Sequence, residues 1–252
     1  MISEFPLFVF TTCAGLAAGA CVFSAAFPRK EAGKMPAWVF PLAMLVLLGV
    51  GLLGCMGHLH HPERFINALW NPMAGITQEA YFSILFGIAL VIDAVVCAVK
   101  GRSLRALRIV EAVFGFLLAC VMGLAYFNTL GVTAWACLPT IPMFVAGDLA
   151  VGAALWGLLE RPATRKASFA YSVIVVELIF ACALALLAVH FNGLGLSPLP
   201  FVVAIVLAPC AHIALAWATK ANGLAWGPTL ACACVLVGCI VARYAFYAAY
   251  AL

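Results

Sequence analysis

Long apolar stretches, broken by short basic ones, run the length of the chain. Eight of them are long enough to cross a bilayer as helices, at about 5–27, 36–57, 78–99, 107–130, 138–159, 168–190, 200–218 and 227–250. A membrane helix needs about 20 mostly apolar residues. None of the eight shows the short in–out alternation of a membrane strand, which excludes a β-barrel. The pattern predicts an all-α polytopic integral membrane protein: an eight-transmembrane-helix bundle, with residues 1–252 forming one membrane domain.

Charge gives this bundle a direction. Of 13 Lys and Arg residues, all but Arg64 and Arg243 follow odd-numbered spans. Arg29, Lys30 and Lys34 follow the first span, and Lys100, Arg102, Arg105 and Arg108 the third. Arg161, Arg165 and Lys166 follow the fifth, and Lys220 the seventh. Cytoplasmic loops carry the Lys and Arg excess, so both termini are expected to be extracytoplasmic. Trp38, Trp70, Trp135 and Trp226 fall near span ends, where an amphipathic ring suits the interface. The first span lacks the basic lead-in of a secretory signal and is expected to remain part of the protein.

Composition agrees. The chain is 67% hydrophobic and 9% charged, whereas a soluble domain carries about 25% charged residues. The net charge of +4 is spread over short inter-helix loops and forms no basic face for nucleic acid. Eleven cysteines are present without any C-x-x-C spacing. Most, including Cys13, Cys55, Cys120, Cys182 and Cys210, lie in apolar runs and read as small packing residues, with Cys137 the least buried. No zinc or iron–sulfur ligand set is legible, and no haem or cluster is expected in this chain.

Chemistry concentrates after the second span, where His58, His60 and His61 precede Pro62, Glu63 and Arg64. Pro62 disfavours helix at His61. A short helix is expected to follow, with Phe65, Ile66, Leu69 and Trp70 on one face lying in the interface. Thr77 is expected to cap the third span, placing Glu79 in its first turn at the depth of His58. An imidazole and a carboxyl there suit quinol oxidation, in which two protons leave with two electrons. The same residues also suit plainer roles, His58 capping a helix end and Glu79 complementing a helix dipole.

Other ionisable residues lie inside the spans. Asp93 and Glu111 are expected to pair with Arg102, Arg105 or Arg108. Asp148 and Glu177 sit about 15 Å deep at 1.5 Å per residue. They read either as lining a proton path or as neutral acids in helix–helix hydrogen bonds. His190 falls at the outer end of the sixth span, and His212 lies deeper.

Several segments together carry a family likeness. They are the lead-in Glu4-Phe5-Pro6-Leu7-Phe8, the motif His58-Leu59-x-x-Pro62-x-Arg64-x-x-Asn67-x-Leu69 with Glu79 beyond it, Tyr126-Phe127-Asn128-Thr129 with Trp135 and Pro142-Met143, and Arg243-Tyr244-Ala245-Phe246-Tyr247. In these the chain resembles the membrane-anchor subunit of dimethyl sulfoxide reductase, the DmsC type. The resemblance implies an anchor in the bacterial cytoplasmic membrane that binds and oxidises menaquinol near its outer face during anaerobic respiration. It implies electron transfer to a four-cluster iron–sulfur subunit and then to a molybdopterin catalytic subunit, the anchor itself performing no terminal reduction. It implies a quinol site of His58 and Glu79, joined by Arg64, Arg243 and Tyr247. His60 and His61 depart from the small pair usual in the motif, and Cys239 stands where a Glu is common. Two other readings stay open. One is a haem b-carrying quinone-reactive anchor, with His190 and a histidine of the 58–61 cluster as axial ligands. The other is a transporter using Asp148 and Glu177, against which the lack of a legible repeat counts.

Overall fold

The computed structural model describes residues 4–29, 36–58 and 65–251, and every regular element among them is helical. The eight spans are α1 (Phe5–Ala26), α2 (Val39–His58), α4 (Gly75–Lys100), α5 (Arg105–Phe127), α6 (Thr140–Leu159), α8 (Ala167–Gly193), the composite seventh span and α11 (Gly227–Ala248). Two single-turn helices, α3 (Phe65–Ala68) and α7 (Arg161–Thr164), lie between spans. The seventh span runs as α9 (Leu199–Ile205), a π-helical turn (Val206–Cys210) and α10 (Ala211–Asn222). Pro209 lies inside that turn. Proline has no N–H to give the preceding turn, and a widened turn is one way a helix absorbs it. Local stops are equally physical. Gly101 ends α4 and Gly223 ends α10, each with positive φ and each donating its N–H to a carbonyl of the last turn.

α1, α2, α4 and α5 form a closed ring, in which α1 packs on α2, α2 on α4, α4 on α5 and α5 on α1. α6, α8, the seventh span and α11 form a second ring in the same order. Because spans alternate in direction, both rings begin at the same end of the bundle. No repeat is legible in the residues, yet the chain builds a four-helix ring twice. The rings join where α6 packs against α1 and α5, and where α11 meets α1.

α1 and α6 are the core: 61% and 67% of their spans are buried, against 28–44% for the others. Their contact is made of small residues. A Cβ on Gly19 would collide with the Asp148 carbonyl, and one on Gly152 with the backbone of Gly19. Gly115 of α5 approaches α1 as closely, since its Cβ would lie 3.0 Å from the Ala18 Cα. Lipid offers apolar side chains no reason to prefer one another, so close backbone packing supplies the association.

The basic end is fastened by polar contacts. Arg108 lies 3.2 Å from Asp93 and 3.4 Å from Glu111, and donates to Ser103 at 2.9 Å. Its guanidinium also covers the Phe40 ring at 4.7 Å. Asp93 and Glu111 thus find their arginine as expected, and it is Arg108. Arg29 pairs with Glu160 at 2.7 Å, and the Trp156 indole donates to the Phe27 carbonyl. At the opposite end α4 starts at Gly75, with Ala74 as its cap. Thr77 is therefore a buried residue within the helix rather than its cap. Cys182 and Cys210 are exposed while Cys137 is half-buried, which reverses the expected order. Burial pushes the Cys137 thiol up, which disfavours a reactive thiolate.

Gly19→Leu is expected to destabilise the protein by about 1–3 kcal/mol or more, because the overpacked α1–α6 contact cannot yield. Gly49→Leu, where an added Cβ meets nothing within 4 Å, should leave stability nearly unchanged. Thermal unfolding of the two variants in detergent checks this.

Candidate functional site

At the end of the bundle where α1 begins, a cavity of about 570 Å³ opens among helix ends. That is the size of a small-molecule site. The first turns of α1 bring Glu4 and Leu7, and those of α4 bring Gln78 and Glu79. The end of α5 brings Tyr126, and Asn128 and Thr129 follow it. Trp135, from the loop before α6, and Tyr250, after α11, complete the wall.

Glu79 is the chemically pointed residue here. It is 5% exposed, and its Oε1 is buried with no hydrogen-bond partner among the described residues. Because α4 starts at Gly75, Glu79 lies in the second turn, about 6 Å along the axis. The helix-end field fades within the first turn, so dipole complementation does not explain this carboxyl. A carboxyl buried in a span without a cation is costly, and by default a functional candidate.

The aromatic wall is rigidly held. The Trp135 indole donates to the Phe246 carbonyl at 2.7 Å and stacks on the Phe246 ring. The Thr140 hydroxyl donates to the Trp135 carbonyl at 2.7 Å. Tyr126 stacks on Phe144 and meets Tyr247 edge to face, with centroids 5.3 Å apart.

A polar network continues from Tyr247 into the bundle. The Tyr247 hydroxyl is 3.1 Å from the Thr11 hydroxyl, which donates to the Leu7 carbonyl. Arg243, one turn before Tyr247, donates to the Thr11 carbonyl and to Asp148, and its guanidinium covers the Phe144 ring at 5.1 Å. Arg243, Tyr247 and Asp148 are all buried. A Cβ on Gly15 would collide with the Asp148 carboxylate, so that glycine makes room for the pair.

The residues anticipated from sequence therefore separate. Glu79 is on the cavity wall, and Tyr247 sits behind it against Tyr126. Arg243 and Asp148 are bound to each other. Glu177 is elsewhere in the second ring, where its Oε1 lies 2.5 Å from His212 Nδ1. α2 ends at His58, whose imidazole lies outside the described part of the structure, as do His60, His61 and Arg64. His190 bonds to the Thr133 carbonyl at 3.1 Å. Tyr126 and Trp135 were legible as parts of a likeness but not as cavity walls. The tertiary contact with α11 that orients them leaves no local signal.

The sequence pattern of the DMSO reductase anchor subunit (DmsC) family matches residues 1–219. The chain belongs to this family. Membership makes it a multi-pass membrane anchor of a DMSO reductase-type complex. The match takes in α1 to α9 and most of α10, including Glu79 and most of the cavity wall, and stops before α11 with Arg243 and Tyr247. No individually curated protein matches the chain.

The Arg243–Asp148 pair gives a prediction for this anchor. Arg243→Met alone strands a buried carboxylate, and is expected to cost about 3–5 kcal/mol. Adding Asp148→Leu should recover most of that loss. Denaturation of both variants in the same detergent provides the comparison.

Proposed function

We propose that this anchor oxidises menaquinol in the Glu79 cavity, near the extracytoplasmic face of a bacterial cytoplasmic membrane. The observation that carries the reading is a buried carboxyl oxygen without a partner among the described residues, on the wall of an aromatic cavity large enough for a quinol ring. The ring lies against the faces of Tyr126 and Trp135, and one hydroxyl donates to the Glu79 carboxylate. The other donates to an imidazole, for which His58 at the end of α2 is the assigned acceptor. Oxidation of the quinol to quinone releases two protons and two electrons. Glu79 and His58 take the protons and pass them to the adjacent aqueous side. The electrons go to a four-cluster iron–sulfur subunit docked over this end, and from there to a molybdopterin subunit that reduces the terminal acceptor.

In this reading Arg64 steers the approach of the quinol. Tyr247 buttresses Tyr126, and Arg243 fixes Tyr247 through the shared Thr11 contact. The last two are positioning residues, since each acts through another group.

In the assembled complex, Glu79→Gln and His58→Ala are each expected to lower quinol-dependent turnover by about 10²-fold or more, the usual scale for losing a proton acceptor. Reduction of the acceptor by an artificial dye, which bypasses the anchor, should be unchanged. Normal quinol-driven rates in both variants would remove the assignment.

A further inference from the structure

The network around Arg243 accounts for Asp148 but leaves Glu177 apart. Glu177 is fully buried on α8, about 15 Å from the helix start. His212, 3% exposed, meets its Oε1 through Nδ1 at 2.5 Å. The other carboxyl oxygen, Oε2, is buried with no hydrogen-bond partner among the described residues. As a mere fastener between two helices this is expensive, because an unmatched buried acceptor loses its full solvation. Apolar side chains of the same size would hold α8 to the seventh span at less cost.

His212 owes its place to the π-turn. The widened turn at Val206–Cys210 absorbs Pro209, and α10 resumes at Ala211, so His212 stands on the first turn of the resumed helix. Single π-turns within helices gather at functional sites.

A second, narrow cavity of about 20 Å³ touches His212 and runs toward the basic end. That is space for about one water molecule. His212, Leu215, Ala216 and Thr219 line it from one face of α10, at helical spacing. Thr164 of α7 and Gly227 at the start of α11 line it from across. Thr164 and Thr219 are both buried. Gly227 lies so close that an added Cβ would strike the Thr219 hydroxyl. Thr219 lies two turns beyond His212, about 10 Å along the axis. Two hydroxyls thus mark the basic end of this cavity and the imidazole marks its inner end, with the small or apolar residues Ala216 and Leu215 between them.

The groups facing this pair from the other elements are few. α11 presents Cys239, which feels Glu177, Asp148 and Arg243 together. Arg243 is engaged by Asp148 of α6. Among the described residues His212 is the one basic side chain in contact with Glu177.

We propose that Glu177 and His212 form a proton-binding site inside the second ring, filled from the basic end past Thr164 and Thr219. A proton from water at that end reaches the imidazole Nε2, and the Nδ1 proton passes to Glu177 Oε1. Only N–H and O–H bonds change, and no electron moves. The site stands in the opposite half of the molecule from the Glu79 cavity and does not depend on quinol chemistry there.

Infrared spectroscopy of the whole anchor in bilayer nanodiscs tests this. Wild type should show a protonated-carboxyl C=O band that shifts on transfer to D2O and is missing in Glu177→Gln. Gly227→Val, which fills the cavity at its basic end, and Thr219→Val, which removes the hydroxyl there, should slow that shift at least about tenfold, because they close off the space through which water from that end approaches the imidazole. His212→Gln should slow it likewise and serves if Glu177→Gln does not assemble. A carboxyl band that Glu177→Gln leaves unchanged, no protonated band at all, or exchange equally fast in the Gly227 and Thr219 variants would each overturn the proposal.

Discussion

Everything in this bundle is arranged around the close approach of α1 and α6. The two helices touch backbone to backbone at Gly19 and Gly152, and the same contact leaves a slot at Gly15 that admits the Asp148 carboxylate. Into that slot Arg243 reaches from α11, so one ion pair and one carbonyl tie three helices together at one depth. An arginine in hydrocarbon is tolerated only when so partnered. The partnering is possible only because α1 lacks side chains where it meets α6. Small residues and buried charge are therefore one feature: the first creates the space that the second occupies.

The two ends of the molecule are built on different principles. At the basic end, ion pairs and the Trp156–Phe27 indole–carbonyl bond close the helices on each other, with Arg108 bridging α4 to α5 and Arg29 reaching Glu160. At the end where α1 begins, the helices diverge around a cavity and aromatic packing holds the walls. Rings suit that task. Their stacking fixes geometry without introducing charge, and Trp135 and Tyr126 both line the cavity. Glu79 supplies a carboxyl there that the helix-end field does not explain. In a family of reductase anchors, this separation of a fastened end from an open one matches a protein that must hold its shape in lipid while exchanging a ligand on one side.

The spans were legible to within about four residues at each end because hydropathy over twenty residues is a strong signal. Their partners were not. Depth can be counted from a span's end, but depth leaves a whole ring of facing helices to choose from. Nothing local in the chain says that Arg243 meets Asp148, 95 residues away, or that Glu177 meets His212 across 35. The start of α4 was misjudged for a related reason. Thr77 has the side chain of a cap, but Gly75 and Ile76 continue the helix past it, set by the Asn71–Ala74 turn that precedes them. Glu79 was identified by residue type and family likeness, and its weight increased when the true helix start removed the dipole explanation. Tyr126 and Trp135 stood in plain view as letters, but what makes them a wall is their stacking on Phe144 and Phe246.

One consequence concerns the tail. Tyr250 lines the cavity and stacks on Trp135, and Trp135 is fastened to the carbonyl of Phe246. The pocket is thus closed by a stretch of chain that lies after residue 219, where the match to the family pattern ends. A change in these last residues alone would therefore reshape the chamber while leaving its acidic wall at Glu79 in place.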